Sequence, residues 1–122
     1  MGRIVKELVL DVLRKVLDPE IGGNVVDIGL ISSVDIKEEQ KIIEVSWTPT
    51  VPFCPMVLAI SAAMLYVLRR DLEIGDWKIR VLIDKSVITA DYWNSQLSNE
   101  EAMEEIMDRM EKSGQIKYFI TE

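Results

Sequence analysis

The sequence predicts a single α+β domain, in which a small three-stranded mixed sheet packs against helices in the order α-β-β-α-β-α. Two patterns predict this class. Apolar residues recur at helical spacing in the first, middle and last parts of the chain, and they alternate with polar residues in three shorter runs. The chain has 122 residues, of which 48 % are hydrophobic. This length and composition suit one domain with one core, spanning residues 1–122.

The first half of the chain predicts a helix and then two strands. Apolar residues at helical spacing from Ile4 predict a helix that ends near Asp18-Pro19, because the residue before a proline avoids the α region. A polar turn at residues 38–41 separates two strands. The second strand should place three apolar side chains on the inward face of the sheet, namely Ile43, Val45 and Trp47.

The second half predicts a buried helix over residues 56–68 and a strand over residues 77–83, whereas residues 84–97 show no clear period. Ser98, followed three residues later by Glu101, forms a capping box that predicts the start of a last helix. Gly114 predicts its end. The alternating residues 115–122 predict an extra edge strand, on this sheet or on a neighbouring subunit, or else a tail.

The charge and the cysteine content exclude several classes of function. A net charge of −7 disfavours binding to nucleic acids and to anionic membrane surfaces. The longest apolar run is too short to span a bilayer, and no signal peptide is recognisable. A single cysteine cannot form an internal disulfide, which favours the cytoplasm. The lack of histidine excludes a Cys-His couple, a Ser-His-Asp triad and a histidine zinc site within one chain.

Cys54 is the residue in this sequence most typical of a reactive centre. It precedes Pro55, and proline suits the first position of a helix, so Cys54 is predicted to be the helix N-cap. Unpaired N–H groups and the helix dipole would then hold the pKa of the thiol below that of a free cysteine. The thiolate could ligate iron, carry a persulfide or form a mixed disulfide. The alternative is an inert cysteine packed in the core.

Three stretches of the chain carry a resemblance to a known family. They are Asp18-Pro19-Glu20-Ile21 with residues 24–31, the cysteine loop Thr48 to Met56, and the segment Trp93 to Ser98. Together they resemble the SufT/PaaD-like iron–sulfur cluster assembly domain, a family that includes a subunit of the eukaryotic cytosolic iron–sulfur targeting complex. The resemblance extends over residues 4 to about 113. It implies a role in the maturation of iron–sulfur proteins.

Further site residues follow from these stretches. Asp18 and Glu20 are predicted to lie near Cys54 as iron ligands or partner contacts, although Asp-Pro-Glu is also ordinary turn chemistry. Thr48 and Thr50 are predicted to donate hydrogen bonds to the Cys54 sulfur, or else only to shape the loop.

The segment before the last helix supplies two more candidates. Asn94 and Gln96 are predicted to bind a protein partner, or else only to lead into the cap of that helix.

The leading hypothesis is a non-enzymatic accessory factor that assists cluster assembly or delivery through Cys54. One thiolate cannot hold a cluster, which needs about four ligands, so we expect transient handling of iron or a cluster and no stably bound cofactor. The expected partners are iron–sulfur client proteins or an assembly scaffold, and a homodimer would bring two thiols together. One alternative is a sulfurtransferase or peroxide-reducing enzyme, although the chain has no second cysteine to resolve a sulfenic acid. The other is an interaction subunit of a multicomponent oxygenase system.

Overall fold

The computed structural model describes residues 4–51, 56–72 and 74–121. Helix α1 is followed by a hairpin of two short strands, β1 and β2, and then by the three strands of the main sheet and three further helices. Their bounds are α1 Lys6–Leu13, β1 Leu17–Asp18, β2 Gly23–Asn24, β3 Ile31–Lys37, β4 Ile42–Trp47, α2 Val57–Asp71, β5 Lys78–Ile83, α3 Ala90–Leu97 and α4 Glu100–Ser113. A 3₁₀ helix follows at Gln115–Tyr118.

The main sheet has the order β3-β4-β5, with β3 antiparallel and β5 parallel to the central strand β4. Side chains alternate across it, because successive residues of a strand point to opposite faces. The inward residues of β4 are completely buried, namely Ile43, Val45 and Trp47. The mixed three-stranded sheet and its predicted inward face are therefore confirmed.

Helix α2 forms the centre of the core, with buried residues on nearly every side. It contacts α1, α4 and β5, so the helices cover one face of the sheet. Three methionines of α4 complete this layer, namely Met103, Met107 and Met110. The indole N–H of Trp47 donates to Ser61 Oγ at 3.0 Å, and both side chains are fully buried. This hydrogen bond satisfies two polar groups that would otherwise be costly inside the core.

Helix α1 ends at Leu13, earlier than the prediction of an end near Asp18-Pro19. The turn tightens after it, since the N–H groups of Lys15 and Val16 donate to carbonyls three residues earlier. Val16 then pairs with Ile120, and Leu17–Asp18 form β1. The pairing of this segment with other strands overrides its helical periodicity.

The end of the chain departs from the prediction in two ways. Residues 90–97, which lack a clear period, form α3, and Ser98 is the C-cap of that helix. The N-cap of α4 is instead Asn99, whose side chain accepts a hydrogen bond from the N–H of Ala102 at 3.1 Å. Gly114 does end α4, with a φ of 80° that favours glycine.

Residues 115–121 do not add a strand to the main sheet, so of the alternatives predicted for residues 115–122 the edge strand on this sheet is wrong, and a tail agrees with the part that the structure describes. The 3₁₀ helix forms there instead, and Ile120 makes a single antiparallel bridge with Val16. Flanking hydrogen bonds join Leu17 N–H to the Phe119 carbonyl at 2.8 Å and Thr121 N–H to the Lys15 carbonyl at 2.7 Å. The tail therefore closes over the end of α1.

None of the helices within the described ranges is both long enough and apolar enough to cross a lipid bilayer.

Candidate functional site

The segment that leads to Cys54 leaves the sheet at the end where β4 and β5 both finish. Parallel pairing aligns Trp47 with Ile83, so Thr48 and Asp84 emerge side by side. The N–H of Asp84 donates to the Trp47 carbonyl at 2.9 Å, and the N–H of Thr48 donates to the Leu30 carbonyl at 2.8 Å. The start of the cysteine loop is therefore fixed to all three strands of the sheet.

Cys54 and Pro55 lie outside the described residues. The helix that follows them begins at Val57, with Met56 in the N-cap position, and the Met56 carbonyl accepts from the N–H of Ile60 at 2.8 Å. The prediction of Cys54 as N-cap is therefore wrong, because Met56 takes that place.

Hydroxyl and carboxylate groups lie across this end of the sheet. The hydroxyls of Thr48 and Ser32 lie 2.8 Å apart. The Asp84 carboxylate accepts from the N–H of Ser86 at 2.9 Å and from its hydroxyl at 2.7 Å. The backbone N–H of Ser86, then its hydroxyl, and then Ser32 lower the pKa of the Asp84 carboxyl, which is therefore ionised near neutral pH.

The two predicted donors to the thiol differ in their partners. In the hydrogen bond between the Thr48 and Ser32 hydroxyls either oxygen can be the donor, so the Thr48 hydroxyl already has a partner in the described part of the chain. Thr50 differs, because it is exposed and its hydroxyl makes no hydrogen bond with another described residue. Of the two predicted donors to the thiol, Thr50 keeps that capacity.

Asp18 lies at the end of β1, where its carboxyl group is buried with 4 % of the residue exposed. The carboxyl accepts a hydrogen bond from the N–H of Glu20 at 3.0 Å, and the Asp18 carbonyl accepts from the N–H groups of Ile21 and Gly22. In the described part of the chain Asp18 therefore stabilises the β1–β2 turn, as the alternative interpretation proposed. Glu20 is exposed on that turn.

The rest of the opening motif also has a structural role. The side-chain oxygen of Asn24 accepts from the N–H groups of Val26 and Asp27, and its amide donates to Asp27 at 2.8 Å. Asn24 and then Arg14 lower the pKa of Asp27 by hydrogen bonding to its carboxylate. The motif reaches the cysteine loop through Leu30, whose N–H donates to the Val25 carbonyl and whose carbonyl accepts from Thr48.

Asn94 lies on α3, and its amide is used inside the fold. Its oxygen accepts from the N–H of Ile83 at 2.8 Å, and its nitrogen donates to the Ile83 carbonyl at 3.0 Å. The Asn94 amide thus makes the two hydrogen bonds that a neighbouring strand would make at the end of β5. This structural role differs from the predicted contact with a protein partner. Gln96 is half-buried on the same helix, and its contact with a partner stays a prediction.

Sequence reasoning missed Ser32, Asp84 and the exposed apolar side chains beside them. The signal for Asp84 was the Asp84-Lys85-Ser86 sequence, which is typical of a turn closed by the aspartate. Three large apolar residues stand exposed in segments that leave this end of the sheet: Val51 (48 % exposed), Ile88 (85 %) and Tyr92 (61 %).

Within the described ranges, no three aspartate, glutamate or cysteine residues come together as a metal ion would require. Cys54, the predicted metal ligand, is outside those ranges.

The fold defines a small α+β domain in which the cysteine loop leaves one end of a mixed three-stranded sheet. Residues 6–81 match the family described as iron–sulfur cluster assembly protein, and the chain belongs to this family. The matched residues extend from α1 to β5 and include the cysteine loop. The resemblance found in the sequence is therefore confirmed.

Similar proteins occur in archaea and bacteria. An uncharacterized protein of Methanocaldococcus jannaschii is 33 % identical over 80 % of this chain and 99 % of its own length. An Fe-S protein maturation auxiliary factor of Porphyromonas gingivalis is 33 % identical over 83 % of this chain and 90 % of its own length. A second protein with that description, from Bacillus subtilis, is 28 % identical over 67 % of this chain and 79 % of its own length.

Two solved structures share the fold. A domain of unknown function from Bacillus anthracis matches with a TM-score of 0.58 and 26 % identity over 65 % of this chain and 73 % of that one. A conserved hypothetical protein from Thermotoga maritima matches with a TM-score of 0.56 and 28 % identity over 69 % of this chain and 82 % of that one. Both agree with a single small α+β domain.

Proposed function

We propose that this protein is an accessory factor in the maturation of iron–sulfur proteins, and that it acts as a protein-binding factor rather than as an enzyme. The observation that supports this most is the match to relatives described as Fe-S protein maturation auxiliary factors, since the chain spans 79 % and 90 % of their lengths. The family match over residues 6–81 agrees with it.

The proposed reactive group is the thiol of Cys54, at the end of the sheet where Thr48 and Asp84 emerge. The hydrogen bond from Thr48 to Leu30 fixes one end of the loop, and Met56 fixes the other at the start of α2. The hydroxyl of Thr50 makes no hydrogen bond with another described residue and would donate to the Cys54 sulfur. The exposed side chains of Ile88 and Tyr92 would contact a client or scaffold protein beside the thiol.

The proposed chemistry is exchange of ligands on iron that is cargo rather than a resident cofactor. Cys54 loses its proton to solvent and its thiolate forms one iron–sulfur bond as a bond from iron to the donor's ligand breaks. A cysteine thiolate of the client then replaces Cys54. No electrons are transferred in either step. A single thiolate holds such cargo weakly, which suits delivery better than storage.

A strain whose only copy carries Cys54→Ser would test the role of the thiol. We expect the activities of iron–sulfur enzymes to fall while the purified variant unfolds at the same temperature as the wild type, because serine is close to cysteine in size but binds iron poorly. Normal enzyme activities in that strain would refute the role of Cys54.

Thr50→Val is the matched test of the loop, with Thr48→Val as its control. The rate of alkylation of the thiol, measured against pH, should shift to higher pH in Thr50→Val and stay unchanged in Thr48→Val, because the Thr48 hydroxyl is paired with Ser32 and the Thr50 hydroxyl has no partner among the described residues. Equal profiles for all three proteins would show that neither hydroxyl tunes the thiol.

A further inference from the structure

Strand β5 is an edge strand, and its backbone groups alternate between the sheet and the outside. The N–H groups of Lys78 and Asp84 donate to carbonyls on the β4 side, those of Lys41 and Trp47. The N–H and C=O groups of one strand residue point to the same edge of the strand, and this edge alternates from one residue to the next. The N–H and C=O groups of Ile79, Val81 and Ile83 therefore point away from the sheet.

Only one of these three outward positions is covered by another described residue. The amide of Asn94 pairs with both backbone groups of Ile83. No hydrogen bond joins the outward groups of Ile79 and Val81 to any other residue in the described ranges. Unpaired edge groups are a template for another extended strand.

A groove runs beside these two residues, with a volume of about 430 Å³. The edge of β5 forms one wall of the groove, and the chain from α3 to α4 forms the other wall. Leu65 and Arg69 of α2 also line the groove. Apolar side chains that line it include Trp77, Ile79, Leu97 and Met103. A strand added to β5 would place every second side chain on this apolar side.

The charges beside the groove are positive in a chain whose net charge is −7. Arg69, Lys78 and Arg80 line it together with a single acid, Glu100. Lys78 and Glu100 are 3.8 Å apart and both exposed, and Arg69 pairs with Glu104. Arg80 is exposed and forms no ion pair with any described residue. An added strand would place its other side chains on the face of Lys78 and Arg80.

We infer that the edge of β5 binds an extended segment of a partner protein, in which acidic and apolar residues alternate. The segment would form a fourth strand beside β5, with hydrogen bonds to Ile79 and Val81, acidic side chains near Arg80 and apolar side chains in the groove. This goes beyond the maturation role, because the groove runs along the outer edge of β5 and its occupation does not need Cys54.

The charges favour a partner protein over a second copy of this chain. Two β5 strands paired antiparallel about Arg80 would place the two Arg80 side chains opposite each other. Like charges directly opposite destabilise a pair of strands, and cations on an edge strand commonly prevent self-association.

The test uses the full-length protein and a capped peptide of alternating valine and glutamate. Two control peptides carry N-methyl groups, one on every valine and the other on every glutamate. A strand directs every second N–H group to its neighbour, so the N–H groups of one residue type face β5 and those of the other face away. The peptide methylated on the groups that face β5 should bind at least about tenfold more weakly than the parent peptide, and the other should bind nearly as well as the parent. In NMR spectra, the amides of Ile79 and Val81 should shift and exchange more slowly with the parent peptide bound.

Variants of the protein test the charge. Arg80→Glu should weaken binding of the parent peptide by about three- to tenfold, whereas Lys85→Glu, with the same change of net charge beyond the other end of β5, should change it little. Cys54→Ser should bind the peptide like the wild type, which separates this inference from the role of the thiol.

Three results would overturn the inference. One is equal binding of both methylated peptides, which would indicate contact through side chains alone. Another is a set of shifted amides away from β5. The third is protection of Ile79 and Val81 in the free protein that grows with its concentration, together with a dimer in sedimentation, since a second copy would then occupy the edge.

Discussion

Replacing Asn94 with alanine should strongly destabilise the protein, although Asn94 lies on a short helix near the surface. Its amide pairs with both backbone groups of Ile83, a residue that is 1 % exposed. Each such hydrogen bond contributes about 1 kcal/mol net, and a buried group left without a partner costs about 1–3 kcal/mol more. We therefore expect Asn94→Ala to lower the free energy of unfolding by about 2–4 kcal/mol.

Urea unfolding followed by tryptophan fluorescence would measure this loss. With a dependence of about 2 kcal/mol per molar urea, the midpoint should fall by about 1–2 M. Ser95→Ala is the matched control, because the Ser95 hydroxyl is exposed and donates only to the Tyr92 carbonyl of its own helix. That variant should stay within about 0.5 kcal/mol of the wild type.

Asn94→Asp gives a second signature of the same pairing. An aspartate can accept from the N–H of Ile83 but, when ionised, cannot donate to its carbonyl. Protonation restores a donor, so the folded state should raise the pKa of the new carboxyl, and the variant should be least destabilised below the unfolded pKa of about 4. The role assigned to Asn94 would be refuted if Asn94→Ala unfolded within about 0.5 kcal/mol of the wild type.

Three further variants test the core, an ion pair and the sheet end. Ser61→Ala should lower the free energy of unfolding in urea by about 1–3 kcal/mol, because it leaves the buried indole N–H of Trp47 without an acceptor. A smaller loss would mean that the indole N–H finds another acceptor. Hydrogen bonding by Arg70 lowers the pKa of Asp71 from 3.8 to about 2, so wild-type stability should fall as the pH drops from about 4 towards 2, and Asp71→Asn should flatten that fall. Thr48→Val should cost about 0.5–1.5 kcal/mol in thermal or urea unfolding, and no change would show that the hydrogen bond between Thr48 and Ser32 is dispensable.

The sequence was informative wherever local pattern and tertiary packing agree. The alternation of Ile43, Val45 and Trp47 correctly gave the inward face of β4, since a strand with one buried face has a period of two. Gly114 correctly marked the end of α4, because the positive φ found there suits glycine.

The errors arose where long-range pairing outweighs local pattern. The apolar residues of 14–17 fit a helix, but the backbone of Lys15 and Leu17 bonds to Thr121 and Phe119, which no local window contains. Helix α3 has little periodicity of its own and is held by Asn94 against β5. The choice of Ser98 over Asn99 as a cap was an error of one residue between two good capping types.

Only part of the candidate site could be predicted. The importance of the cysteine loop follows from its sequence, and the family match includes it. The hydrogen bond between Thr48 and Ser32, and the position of the Asp84–Ser86 turn beside Thr48, do not, because these residues come from three separate parts of the chain that only the folded sheet brings together.

The parallel pairing of β4 with β5 gives the cysteine loop an independence that a hairpin loop would lack. A hairpin loop sets the register of its two strands, so any change in its length shifts every side chain. Here the loop belongs to a crossover that also contains α2, and its ends are held at Thr48 and Met56. Evolution or protein engineering can therefore lengthen or rewrite the residues around the thiol without altering which strand residues face each other.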